Sequence, residues 1–217
     1  MKIVCHINKE DTFKVDEKAT NIDFFDSSSF SYTFWNNKNK LTDWYSQQAL
    51  DLLYISMSVF AADRLCLRKN AYDGWSRDFS IFIPVLEYDI WQNAKSTLEE
   101  MLNFLSGDKW TFYFRKRVQS EQEKISYKKW KKSKQQIKDY DQLCMFSGGM
   151  DSFIGAIDLL ESSSNKILFV SHYGGGKGTK EFQDILKKKF IEQYKLETRD
   201  FHQYYAKVVS GVEDTTR

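Results

Sequence analysis

Residues 143–160, LCMFSGGMDSFIGAIDLL, place a loop of glycines, serines and an aspartate between an apolar run and a helix-like pattern. The run LCMF is typical of a buried strand, and residues 150–162 have the pattern of a helix. A strand KILFVS, a glycine-rich loop, a helix over residues 179–194 and a short strand near ETRDF follow. Strands that alternate with helices in this way predict a parallel sheet of the α/β class.

The loop that starts at Ser147 falls where such a sheet binds ligands, beyond the carboxyl end of a strand. Gly148 and Gly149 permit positive φ and a close approach of the backbone to a ligand. Successive N–H groups before a helix form a nest for an anion, and the hydroxyls of Ser147 and Ser152 add donors that suit phosphate. Asp151 would repel a polyphosphate unless a divalent cation lay between them. The loop therefore predicts a nucleotide bound with magnesium.

This loop does not follow the two commonest glycine-rich phosphate patterns. A Walker P-loop requires a lysine and a Ser or Thr after its glycines, and no lysine follows Gly149. The GxGxxG pattern is missing as well. A second glycine run, HYGGGKGTK, departs from the Walker pattern because Gly178 follows Lys177. For this second run, a phosphate nest and a flexible connection both remain open.

The chain before the loop divides into two segments of different composition. Residues 1–117 combine the strand-like stretches KIVCHI, FSYTFW, DFSIFIPV and KWTFYF with two long helix-like stretches. This pattern predicts an α+β module that has no catalytic spacing and is suited to docking a partner protein. Residues 118–140 are lysine-rich and place Tyr127, Trp130 and Ile137 on one helical stripe. A solvated linker helix and a basic aromatic patch that contacts phosphate or a partner are the two interpretations.

The composition indicates a folded protein of a reducing compartment. A net charge of +2 lacks the strongly basic field of a dedicated nucleic-acid binder, so nucleic acid is not an expected partner. Cys5, Cys66 and Cys144 lie far apart, which suits reduced core thiols better than disulfides or a zinc site. The N-terminus lacks a signal-peptide pattern, and no apolar run approaches the roughly 18 residues of a membrane span. We therefore expect a cytoplasmic location and no membrane partner.

Several stretches of the sequence resemble a known family. FSGGMDS resembles the SGGxDS signature of the PP-loop ATP pyrophosphatases, which have the fold of the adenine nucleotide α hydrolases. LCMFSGGMDSFIGAIDLL with ILFVSHYG is most similar to the 7-cyano-7-deazaguanine synthase (QueC) branch of that group. SVFAADRL, DGWSRDFSIFIPV, FLSGDKWTFYF and EDTTR resemble QatC, the QueC-like component of Qat anti-phage defence systems. The resemblance spans essentially the whole chain.

The resemblance implies an ATP-dependent ligase chemistry for the 141–217 segment. ATP is cleaved to AMP and pyrophosphate, AMP is transferred to a carboxylate such as 7-carboxy-7-deazaguanine, and a nitrogen nucleophile then attacks. On the matching positions, Ser147, Gly148, Gly149 and Ser152 would hold the pyrophosphate, and Asp151 would act catalytically through magnesium. Ser171 and His172, at the end of the next strand, would lie beside the nucleotide.

Two departures from the family bear on this expectation. The chain has no cluster of four closely spaced cysteines, so we expect no zinc site. The 141–217 segment is also short for a PP-loop domain, and we expect it to be incomplete at its C-terminus. A non-catalytic nucleotide-binding subunit that acts by docking companion proteins of the defence system is therefore the alternative function.

Charged motifs elsewhere have a simpler interpretation. AADRL, with Asp63 and Arg64, suggests an ion pair on a helix surface, and GWSRD, with Arg77, suggests a turn at the start of a strand. Asp108, directly after Gly107, is interpreted as a turn residue. A family-specific surface or a functional site is the alternative for the two motifs.

Overall fold

The computed structural model describes residues 1–16, 18–36, 44–132, 139–162, 164–174 and 178–209. These residues pack as two compact units, one mainly of residues 1–31 and 45–125 and the other mainly of residues 126–207. The strands are β1 Lys2–His6, β2 Thr20–Asp23, β3 Phe30–Tyr32, β4 Asp78–Val85, β5 Lys109–Lys116, β6 Gln142–Met145, β7 Ile167–Tyr173 and β8 Phe201–Val208. The helices are α1 Gln47–Leu65, α2 Tyr88–Ser106, α3 Glu121–Lys132, α4 Met150–Ser162 and α5 Thr179–Tyr194.

The first unit is built on a four-stranded sheet with the order β2-β1-β4-β5. All three strand pairs are parallel; Val4 of β1 lies opposite Phe82 of β4, and Ile81 lies opposite Phe112 of β5. The α/β class is thus confirmed, and it extends to the N-terminal module, where the sequence predicted an α+β arrangement. The connection from β1 to β2 contains no helix among its described residues, so the sequence lacked the alternation that marks parallel pairing.

Helix α2 covers the outer edge of β5 as well as packing on the sheet. The Asn103 side-chain oxygen accepts a hydrogen bond from the Trp110 N–H at 2.7 Å, and a Glu99 carboxylate oxygen accepts one from the Phe112 N–H at 2.8 Å. Gly107 ends the helix in the left-handed region with φ 70°, as the sequence predicted. Two donors of an edge strand are therefore satisfied by side chains of the preceding helix.

A buried ion cluster joins the amino ends of β4 and β5 to α1. The Arg77 guanidinium, 2% exposed, donates to both oxygens of the Asp108 carboxylate and also to Asp63. Arg68 donates to the same Asp108 carboxylate through both terminal nitrogens. Arg77 does lie directly before β4, as the sequence indicated, but its side chain is buried in an ion cluster, which the sequence interpretation missed. Asp108 does follow the end of α2, but its carboxylate is the centre of a buried ion cluster.

A second buried carboxylate organises the carboxyl ends of the same strands. Asp51 of α1, fully buried, accepts hydrogen bonds from the N–H groups of Leu86 and Glu87 and from the Trp91 indole. Arg117, just after β5, lies 3.3 Å from the same carboxylate. In other parallel sheets, the N–H groups between a strand and the following helix bind anions. Between β4 and α2, the Asp51 carboxylate takes the place of such an anion.

Helix α3 begins with a reciprocal cap. The Ser120 hydroxyl accepts from the Glu123 N–H at 3.1 Å, and the Glu123 carboxylate accepts from the Ser120 N–H. The same carboxylate forms a two-pronged ion pair with Arg117 at 2.8 and 2.9 Å. The start of the lysine-rich segment is therefore fixed to the end of β5.

The aromatic residues of the lysine-rich segment are partly packed. Tyr127 and Trp130 stack on each other with ring centroids 5.9 Å apart, and both contact Trp44, at 5.5 and 5.9 Å. Ile137 of the predicted stripe lies outside the described residues. Because these rings pack against Trp44, the structure favours the linker-helix interpretation over the basic aromatic patch.

The second sheet has the order β3-β8-β7-β6, and its strands β6, β7 and β8 are parallel. Phenylalanines dominate its core, and Phe169 stacks on Phe201 with ring centroids 4.9 Å apart. The buried core residues are Cys144, Phe146, Ala156, Ile167, Phe169, Phe190 and Phe201. This core anchors β6 and α4, which carry the predicted loop between them.

Two other expectations from the sequence concern thiols and membranes. Cys5, Cys66 and Cys144 are free and buried, as predicted, and burial raises the pKa of each thiol, that of Cys5 to about 12. In the part of the chain that the structure describes, none of the helices has the length and apolar character needed to cross a membrane.

Candidate functional site

The SGGMDS loop begins where β6 leaves the core. Phe146, 1% exposed, anchors its start and donates its N–H to the Val170 carbonyl of β7 at 2.7 Å. Ser147 is the next residue and is exposed. The loop therefore lies at the carboxyl end of a parallel strand and directly before a helix, as the sequence predicted.

The two glycines of the loop have different roles. Gly148 adopts φ 89°, in the region that favours glycine, whereas Gly149 does not have a positive φ. A Cβ at position 149 would lie 3.6 Å from Ser147 Oγ, an ordinary contact. Only Gly148 is therefore required for its conformation.

The serines close the loop on itself. Ser147 Oγ donates to Ser152 Oγ at 3.0 Å, Ser152 Oγ donates to the Gly149 carbonyl at 2.9 Å, and the Gly149 N–H donates to Ser147 Oγ at 3.3 Å. The first N–H bond of α4 runs from Phe153 to the Gly149 carbonyl at 3.0 Å. The preceding N–H groups of the first turn are thus the donors that a helix N-terminus offers to an anion.

Asp151 is exposed in the first turn of α4. Within the described ranges, no group of three or more His, Cys, Asp or Glu side chains is placed to hold a metal ion. A magnesium ion at Asp151 would therefore take most of its ligands from phosphate oxygens and water, which is how magnesium usually binds with nucleotides. The single carboxylate fits that mode.

Ser171 and His172 lie at the end of β7, the strand beside β6. Ser171 is buried, and its hydroxyl donates to the Phe146 carbonyl at 2.6 Å. Partial burial lowers the pKa of His172 below its ordinary value, which favours the neutral imidazole. Ser171 thus fixes the end of β6, and His172, the next residue of β7, keeps part of its side chain open to solvent.

One residue of this region was missed by the sequence interpretation. Gln183 of α5 is 1% exposed, and its side-chain amide nitrogen donates to the carbonyls of Ser147 and His172, each at 3.0 Å. Gln183 lies three and seven residues before Leu186 and Phe190, which pack in the core. A polar residue on the apolar stripe of a helix was the available signal.

The second glycine run is only partly described. Gly178, with φ 101°, precedes α5, and Gly174 ends the described part of the connection from β7. Residues 175–177, which include Lys177, lie outside the described residues. Both interpretations of this run therefore remain open.

No family model matches the chain, and no similar protein was found among curated proteins or solved structures.

Proposed function

We propose that this protein binds ATP with magnesium at residues 147–152 and transfers AMP to a carboxylate, as a QueC-like component of an anti-phage defence system. The observation that carries the proposal is the loop between β6 and α4, with Gly148 at positive φ and the first N–H groups of α4 at the carboxyl end of a parallel strand. This arrangement has the donors and the backbone access that a phosphate group requires.

The chain would contribute charge stabilisation and positioning. The substrate carboxylate oxygen attacks the α-phosphorus of ATP, and the bond from that phosphorus to the bridging oxygen breaks, which releases pyrophosphate. The helix N-terminus and the serine hydroxyls would hold the pyrophosphate, and Asp151 would hold magnesium, which neutralises charge on the phosphates. Ammonia, or another nitrogen nucleophile, then displaces AMP from the acyl adenylate.

The substrate class and the biological role are supported by the sequence resemblance alone. The similarity to the QueC branch supports a 7-carboxy-7-deazaguanine-like acceptor, and the similarity to QatC supports a role in defence with companion proteins.

A thermal-shift experiment tests the nucleotide site directly. ATP with magnesium should raise the melting temperature, because a ligand bound at 100 times its Kd stabilises the folded state by about 2.7 kcal/mol. Asp151→Asn and Ser147→Ala should each reduce this shift. Asp158→Asn, an equivalent change at an exposed position on the same helix, should leave it intact. An equal ATP shift in all four proteins would exclude this loop as the nucleotide site.

Pyrophosphate release separates catalysis from binding. The assay supplies ATP, magnesium, 7-carboxy-7-deazaguanine and ammonia, and Asp151→Asn is the control for the loop. Pyrophosphate release that depends on both 7-carboxy-7-deazaguanine and Asp151 supports adenylation. GTP in place of ATP tests the preference for adenine.

The second candidate is a nucleotide-binding subunit that acts by docking. Exposed apolar side chains on the first unit favour it: Phe104 is 88% exposed and Leu105 70%, and both lie on α2. Leu105 also lines a groove of about 450 Å³ between α1 and α2, together with Leu52 and Met101. Protection by ATP without pyrophosphate release would favour this function.

A further inference from the structure

We propose that Gln183 is the positioning residue of the SGGMDS loop. Its amide holds the Ser147 carbonyl towards α5, so that the N–H groups of the loop, and not a carbonyl oxygen, face the ligand. The proposal rests on the proposed function only for the identity of that ligand, a nucleotide phosphate.

The hydrogen bonds determine the orientation of the Gln183 amide. Both of its contacts, the carbonyls of Ser147 and His172, are acceptors, so the nitrogen and its two hydrogens must face them. The flipped amide would place an oxygen against two carbonyl oxygens. Gln183 thus joins the chain ends of β6 and β7 through one group on α5.

The oxygen of the same amide, Gln183 Oε1, is buried, and among the described residues it has no hydrogen-bond partner that would offset this burial. A buried acceptor without a partner carries its full desolvation penalty, which an apolar residue on this helix stripe would avoid. A gain from the two bonds of the nitrogen accounts for the presence of glutamine there.

Gln183 is also in direct contact with the glycine that requires positive φ. A Cβ at position 148 would lie 3.1 Å from Gln183 Cγ, so the loop backbone passes against this side chain. The Ser147 carbonyl belongs to the peptide unit that ends at the Gly148 N–H. Rotation of this unit would bring a carbonyl oxygen to the anion side and would weaken the nest.

Gln183→Glu tests the proposal, since it replaces one NH₂ by one oxygen. An ionised carboxylate would face two carbonyl oxygens, and the Ser147 peptide unit should turn away from it. Burial favours the protonated acid, which can donate to one carbonyl, so the effect should diminish as the pH falls. Gln193→Glu, an exposed change of the same kind on the same helix, is the matched control.

Two measurements separate the inference from the proposed function. Without ligand, the Gly148 amide signal in glycine-labelled protein should shift in Gln183→Glu at pH 8 and return towards the parent position near pH 5.5. With ATP and magnesium, the variant's Kd at pH 8 should be weaker by about tenfold, the worth of one typical hydrogen bond. Gln193→Glu should follow the parent in both.

The outcomes are distinct. An unchanged Gly148 signal in Gln183→Glu overturns the positioning role, whatever ATP does. If the signal shifts in Gln183→Glu but the parent protein does not bind ATP, the positioning role is supported and the proposed function is wrong. Gln183→Met is the control for misfolding. Its melting temperature should stay within a few degrees of the parent's, and its Gly148 signal should still shift.

Discussion

Asp108 shows how one buried carboxylate links the charge state of the protein to its stability. Burial alone would raise its pKa, but hydrogen bonds from Arg77 and the charge of Arg68 outweigh burial and lower it below the ordinary value. A carboxyl whose folded pKa is depressed stabilises the fold above its unfolded pKa of about 3.9 and loses that contribution as the pH falls.

Replacing this carboxylate should change both the size and the pH dependence of stability. Asp108→Asn should lower the free energy of unfolding at pH 7 by about 3–5 kcal/mol, because Arg77 keeps a buried charge with less compensation. Between about pH 5 and pH 2 its stability should fall less steeply than that of the parent. Urea unfolding over that pH range measures both effects. Asp78→Asn, in an exposed pair with Lys109, is the control, and parallel pH curves for Asp108→Asn and the parent would contradict the assignment.

At this scale, the sequence predicts what depends on neighbours along the chain. The position of the SGGMDS loop between strand and helix was predicted because its signal is contained in six consecutive residues. Gln183 and Arg77 were not, because their roles depend on partners 36 and 31 residues away. Charge and polarity alone do not distinguish a surface residue from a buried residue with several partners.

Among the elements, helices and strands were predicted better than their arrangement. The predicted FSYTFW strand is ordered as a strand only over Phe30–Tyr32 and belongs to the second sheet. A proline in a strand favours an edge strand or a strand end, and Pro84 is the penultimate residue of β4, which is a central strand. Helix α1 begins after Ser46, whose hydroxyl accepts a hydrogen bond from the Ala49 N–H. Strand order depends on long-range pairing, which periodicity does not encode.

The start of α3 should be a measurable source of stability. Ser120→Ala removes one side of the reciprocal cap and should cost about 1 kcal/mol. Glu123→Ala should cost about 3–5 kcal/mol, since it also leaves the buried Arg117 guanidinium without its two-pronged partner. Glu121→Ala, in the same turn but exposed, should change stability by less than about 0.5 kcal/mol. Chemical denaturation ranks the three variants, and equal costs would refute the cap as a distinct contribution.

For the whole molecule, the exposed apolar surface of the first unit leads us to propose association with a partner protein. Full-length protein co-expressed with neighbouring gene products should co-elute with one of them in size-exclusion chromatography. Phe104→Asp should abolish co-elution with little loss of melting temperature, because the side chain is 88% exposed. Tyr72→Asp, at another fully exposed aromatic, should have no effect. Co-elution that survives Phe104→Asp would place the contact elsewhere.

The side chains of α2 that cover β5 also affect behaviour at high concentration. An open edge strand is a template on which a second molecule can add its own strand, and growth of this kind leads to aggregates. The N–H groups of Trp110 and Phe112 already donate to the side chains of Asn103 and Glu99. Two carbonyl oxygens of an added strand would therefore find no donor on β5. The opposite edge of this sheet is β2, which has only four residues and offers a short template. Both edges of the first sheet are therefore protected against strand-to-strand polymerisation.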